Sequence, residues 1–99
     1  MKSYPVTEKS KAKAHMLTIA GEPTRMRMLC LLFENKQACV HEIAQACDVS
    51  IATASHHLQA LKEAELVESE RVGQTICYCL KLTEFSKYLK PIVCDNYRH

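Results

Sequence analysis

Apolar residues recur three and four apart through the first two thirds of this chain, alternate with polar ones for a stretch, and then return to helical spacing. Residues 9–20, KSKAKAHMLTIA, read as a first helix that becomes amphipathic near its end. Gly21 and Pro23 break it, and Pro23 suits the opening turn of the next helix, which runs through TRMRMLCLLFE. There Met26, Leu29, Leu32 and Phe33 recur at helical spacing and are expected to face the core. Asn35, Lys36 and Gln37 read as a loop. A short helix then starts at Cys39, Val40, His41 and Glu42, with Ile43 and Ala44 inward. A Ser or Thr at position 39 with Glu42 three residues on would form a capping box, so cysteine is an odd choice there. Asp48, Val49 and Ser50 form a turn, and Ser50 can cap the longer helix that follows. Short helix, tight turn and longer helix make a helix-turn-helix.

After Ala64 the period changes. LVESERV and TICYCL alternate around Gly73 and Gln74, and predict a two-stranded hairpin. Thr83 can cap a final helix over EFSKYLKPIVCDNY, with Phe85, Tyr88, Leu89 and Ile92 on one side and Pro91 kinking it. The expected fold is mainly α with a small β-hairpin: a winged helix-turn-helix with an added helix at each end. It fills one domain over 1–99, with 1–8 flexible, a recognition helix over about 51–64 and a wing over about 66–80.

On a wheel of about 100° per residue, Ile51, Ala54, Leu58 and Leu61 cluster toward the core. Ala52, Thr53, His56, Gln59 and Glu63 face out. His57 lies on the flank, so the two adjacent imidazoles diverge, which disfavours a shared metal. The outward face fits a DNA major groove. Thr53, His56 and Gln59 can bond base edges, and Ser50 and Ser55 can reach phosphates. Arg71 and Gln74 at the hairpin tip can contact backbone or minor groove. The plainer reading is a solvated polar face. Glu63, Glu65, Glu68 and Glu70 must point away from phosphate for the DNA reading to hold.

Composition narrows the choice. Ninety-nine residues support one modest core, and chains of this size often pair with a copy of themselves. No apolar run is long enough for a membrane span, and the opening KSYPVTEKSKAKAH is polar and basic where a secretion signal would be apolar. The expected location is therefore the cytoplasm. Six cysteines are many, but no C-x-x-C occurs, and the ligand pairs of a structural zinc finger are missing. The net charge of +2 permits nucleic-acid binding without arguing for it. An enzyme is not expected, since no HExxH, nucleophile dyad or phosphate loop is present. A protein-binding winged helix remains the alternative from another class.

The motifs resemble the ArsR/SmtB family of dimeric winged-helix repressors. Gly21, Glu22, Pro23, Thr24 and Arg25, followed by Met26, Arg27, Met28 and Leu29, resemble its D-P-T-R-L-x-I-L. Val40 to Ala44 resemble V-x-E-L-A. Ser50, Ala54, Ser55, His56, His57, Leu58 and Leu61 resemble S-x-x-x-V-S-x-H-L-x-x-L. Leu66 and Val67, Arg71 and Gly73, and Tyr78 and Leu80 match the wing. The likeness covers roughly residues 17–80. Glu65 stands where the family usually has glycine, at a left-handed helix end where Glu costs about 1 kcal/mol. The resemblance implies a homodimer built from the terminal helices, a double-stranded DNA operator and release by an effector. It makes His57 a packing residue and His56 the outward one.

The resemblance leaves two effector readings open. Some relatives sense persulfides or oxidants through one cysteine in the second helix and one in the last. Cys30 and Cys94 resemble that pair, and would be joined as a disulfide or polysulfide with no cofactor required. Cys30 is also readable as a small buried hydrophobe. Metal-sensing relatives carry Cys-Val-Cys where this chain has Cys39, Val40 and His41. With His15 as a third ligand, these could hold Zn, Cd or As(III), or Cys39 and His41 could merely be helix-cap residues. Cys77 and Cys79 share one face of a strand and could bind metal with Cys47, or be two small apolar side chains.

Overall fold

The computed structural model describes residues 1–94. Its elements are α1 (Glu8–Ala20), α2 (Pro23–Glu34), β1 (Ala38–Cys39), α3 (Val40–Ala46), α4 (Ile51–Glu63), β2 (Val67–Val72), β3 (Thr75–Leu80), a 3₁₀ turn (Ser86–Tyr88) and α5 (Lys90–Val93). The last part of the final helix expected from sequence lies outside the described residues. Among the described residues no helix is long and apolar enough to cross a membrane.

Each helix start has a local cause. Thr7 and Ser10 cap α1 reciprocally, Thr7 Oγ1 accepting from the Ser10 amide at 3.0 Å and Ser10 Oγ from the Thr7 amide at 2.8 Å. Glu22 accepts from the Arg25 amide at 2.9 Å, with Pro23 in the first turn of α2. Ser50 accepts from the Thr53 amide at 3.0 Å and starts α4. Between α3 and α4 the chain turns through Asp48, whose φ of 56° is one that Asp tolerates better than most residues.

The core is built around α2. Met28 and Leu29 are fully buried, as are Ile43 of α3, and Ala54, Leu58 and Leu61 of α4. Leu66, Val67 and Tyr78 close it from the sheet, and Leu89 and Val93 from the carboxyl-terminal segment. The inward face of α4 follows the helical period except at Ile51, which is 54% exposed. It is the first residue of the helix, and its turn projects beyond the core. In α2 the period is shifted toward Met28, while Met26 and Phe33 are only partly buried.

The sheet has three antiparallel strands in the order β1-β3-β2, not the two expected. β1 is only two residues long, too short to show a period, and pairs Ala38 with Tyr78 and Cys39 with Cys77. Val72 faces Thr75 across the β2–β3 turn, where Gly73 takes φ +65°. The final helix is also corrected. Thr83 does cap the segment, exchanging bonds with Ser86 at 3.1 and 2.8 Å. It becomes a 3₁₀ turn and then a short helix that restarts around Pro91, which has no amide to donate. Leu89 and Val93 face inward and Phe85 packs against the core, whereas Tyr88 and Ile92 are exposed.

Glu65 has φ 66°, in the left-handed region. Its carboxylate pairs with Lys81, whose ammonium pKa is raised first by that hydrogen bond. Both partners are solvent-accessible, so the pair offsets little of the backbone cost. Glu65→Gly is expected to raise stability by about 0.5–1 kcal/mol, read as a higher urea midpoint with an unchanged slope.

Candidate functional site

Helix α4 presents Ala52, Thr53, His56, Gln59 and Glu63 as exposed residues on one side, with Ser55 half-buried at the edge. Ser50 Oγ lies 3.0 Å from Thr53 Oγ1, so the two hydroxyls sit together at the helix start. Arg71 and Gln74 are exposed beside the turn of the hairpin. Val67, Ser69 and Arg71 share one face of β2, since side chains alternate. That face looks toward α4: Lys62 donates to Ser69 Oγ at 2.8 Å. Glu68 and Glu70 occupy the other face, where Glu70 accepts from Gln37 Nε2 at 3.0 Å. The strand acids therefore point away from the face that carries Arg71, whereas Glu63 does not: it stays exposed on the outward side of α4.

The adjacent histidines separate by role. His56 is exposed, and its ring centroid is 6.0 Å from that of His57 with the planes tilted by 60°. His57 is half-buried, and its Nδ1 accepts from Arg25 Nε at 3.1 Å. The same guanidinium reaches the Ile19 carbonyl at 3.4 Å. One arginine thus joins α1, α2 and α4. No sequence motif announces this contact, which spans 32 residues.

The cysteines form two bridges. Cys30 of α2 is bonded to Cys94, with Cα atoms 5.0 Å apart, inside the usual disulfide range. Cys39 is bonded to Cys77, its register partner across β1 and β3. Cys47 and Cys79 are free. Burial raises the Cys47 thiol pKa, against a smaller opposing pull from Arg27. Burial also raises Cys79, assisted by Glu68 and Glu70. Both thiols are therefore less ionised near neutral pH than a free cysteine.

For a metal, the described residues offer one group of three: the Cys30 and Cys94 sulfurs and a Glu34 carboxylate oxygen, all within 4.8 Å of one another. Glu34 is one turn beyond Cys30, a spacing visible in sequence, but the approach of Cys94 is not. Within this chain Cys39, His41 and His15 form no such group. Cys39 is bonded to Cys77, and His41 and His15 are exposed. Cys77 and Cys79 likewise do not join Cys47.

Residues 22–69 match the family described as bacterial regulatory protein, arsR family. The repressor SmtB of Mycobacterium tuberculosis is 34% identical over 95 residues, covering 96% of this chain and 67% of that protein. This chain belongs to the ArsR family. The cadmium resistance regulatory protein CadC of Listeria innocua is 35% identical over 63 residues, 64% of this chain, and the match spans only 53% of that protein. Among solved structures, HlyU from Vibrio cholerae superposes with a TM-score of 0.80 at 25% identity, covering 88% of this chain and 94% of that one. It has also been solved in a reduced form, at TM-score 0.76 and 26% identity, covering 89% and 95%. A homodimeric winged helix-turn-helix DNA-binding domain from Mycobacterium bovis gives 0.75 at 28% identity, covering 93% and 86%. Family and fold are those of DNA-binding regulators and not of enzymes.

Two outcomes follow from the geometry. His57→Leu should cost about 1 kcal/mol in chemical denaturation by removing the Arg25 acceptor, whereas His56→Ala should stay within about 0.5 kcal/mol. In fully reduced native protein at pH 7.5, Cys47 and Cys79 should be alkylated by iodoacetamide more slowly than free cysteine, followed by peptide mass spectrometry.

Proposed function

We propose that this chain is a dimeric, cytoplasmic DNA-binding repressor whose hold on its operator is switched by bridging Cys30 and Cys94. The observation that carries the reading is the position of that pair. Cys30 lies on α2, five residues after Arg25, which holds His57 of α4 at 3.1 Å. A bridge at Cys94 therefore pulls the carboxyl-terminal segment onto the same helix that braces the recognition helix. The reduced form of HlyU supports a thiol-based reading for this chain.

DNA recognition is assigned to Thr53, His56 and Gln59 for base edges, Ser50 and Ser55 for phosphates, and Arg71 and Gln74 for the wing. Their exposure on α4 and the hairpin supports it, as does the placing of Glu68 and Glu70 on the opposite strand face. The homodimer is assigned to α1 and the carboxyl-terminal segment. Lys13 and Met16 of α1 line one hollow with Phe85 and Tyr88, and Leu17, Tyr88 and Ile92 remain exposed nearby in sequence. The dimeric Mycobacterium bovis relative supports this.

In the reduced state the two thiols release two protons and two electrons to a hydroperoxide or persulfide donor on forming the bridge. A persulfide route can leave extra sulfur between them. A second reading is soft-metal response, favoured by the Cys30, Glu34 and Cys94 group; two thiolates and a carboxylate suit Zn or Cd. The cadmium resistance regulatory protein CadC gives it a precedent among relatives.

The test is fluorescence anisotropy on DNA from upstream of the protein's own gene, with and without a persulfide donor. Reduced protein should bind with steep salt dependence, and the donor should weaken binding at least about tenfold. Cys30→Ser should bind normally and ignore the donor. Equal loss in both proteins would exclude this switch. A response of the wild type to cadmium but not to the donor would select the metal reading.

A further inference from the structure

The second bridge lies elsewhere in the fold and serves neither role above. Cys39 stands at the amino-terminal cap of α3, the first helix of the helix-turn-helix; its amide donates to Glu42 at 2.8 Å. Cys77 lies in the middle of β3, the inner strand of the wing. The two Cα atoms are 3.7 Å apart, closer than is usual for linked cysteines. The only ladder between β1 and β3 is the Ala38–Tyr78 and Cys39–Cys77 pairing. Ala38 and Tyr78 belong to the hydrophobic core, and Cys77, 1% exposed, is buried in it as well. By alternation Cys39, Cys77, Cys79, Glu68 and Glu70 share the outer face of the sheet. Cys77 is thus fully buried beside Cys39, which is itself only half-buried. Burial accounts for Cys77, but not for a second, half-buried cysteine directly opposite it where β3 meets the strand that leads into α3.

We propose that Cys39 and Cys77 form a second redox site, separate from Cys30 and Cys94, whose oxidation by a hydroperoxide clamps the wing to the first helix of the helix-turn-helix. Cys39 is the accessible partner and reacts first. Its thiolate attacks the peroxide oxygen, giving the sulfenic acid and hydroxide. The Cys77 thiol then attacks the Cys39 sulfur, forming the disulfide and releasing water. For hydrogen peroxide the sum is two thiols and one peroxide to one disulfide and two waters, the peroxide being reduced. The bridge closes a loop across 38 residues of sequence. It also consumes the Cys39 thiolate that a soft metal would need beside His41. The proposal does not rest on the Cys30 and Cys94 switch.

The experiment uses the full chain carrying Cys30→Ser and Cys94→Ser, reduced and then treated with hydrogen peroxide. Four thiols remain, and two should be lost, with mass spectrometry finding Cys39 and Cys77 peptides linked within one chain. At fixed protein concentration Tm should rise by about 10 °C and fall back on reduction. Adding Cys77→Ala should abolish both the link and the rise, and leave a sulfenic acid at Cys39 that dimedone traps. Because that readout is chemical, it holds even if the substitution lowers the starting Tm. Separate capping of Cys39 and Cys77, links to Cys47, Cys79 or another chain, or a link with no rise in Tm would each overturn the proposal.

Discussion

Burial of α2 constrains the helices and the strand packed around it. Met28, Leu29 and Leu32 leave it almost no free inner face, and α1, α4, β3 and α5 all pack against it. Close-packed interiors transmit a displacement of one element to its neighbours, because there is no slack to absorb it. Cys30 and Arg25 sit on this same helix, one tied to the carboxyl-terminal segment and the other to His57 of α4. A chemical event at the first is therefore mechanically close to α4, the helix proposed above to read DNA.

The His56 and His57 pair shows how one helix divides its work. Consecutive residues differ by about 100° in direction, so one imidazole meets solvent while the next meets Arg25. The bond from Arg25 Nε to His57 Nδ1 orients the ring as well as the guanidinium. The wing follows similar logic in two dimensions. Alternation in β2 places Val67, Ser69 and Arg71 toward α4 and the acids on the opposite face.

Much of this was legible from periodicity. The inward face of α4, the Ser50 cap and the turn at Gly73 follow from local rules that need no tertiary knowledge, and the left-handed Glu65 follows from the family resemblance, which puts glycine there. What failed was local signal too short or too dependent on partners. β1 has two residues, and its pairing is visible only once β3 lies beside it. Ile51 satisfies the helical period, yet the core ends before reaching it. The final helix carried an apolar period, but Pro91 and the packing of Leu89 and Val93 decide which face is buried. Neither the Arg25 to His57 bond nor the pairing of Cys39 with Cys77 has a signature in spacing, because both join segments more than thirty residues apart.

In the proposed switch the thiols on α2 and at the carboxyl-terminal segment act as a pair within one protomer. Peptide mapping by mass spectrometry of the fully reduced wild-type protein, before and after a persulfide donor, addresses it directly. The expected result is a new species joining the Cys30 and Cys94 peptides of the same chain, by a disulfide or with added sulfur, reversed by reductant. Independent capping of the two cysteines, or a link only between different chains, would contradict it.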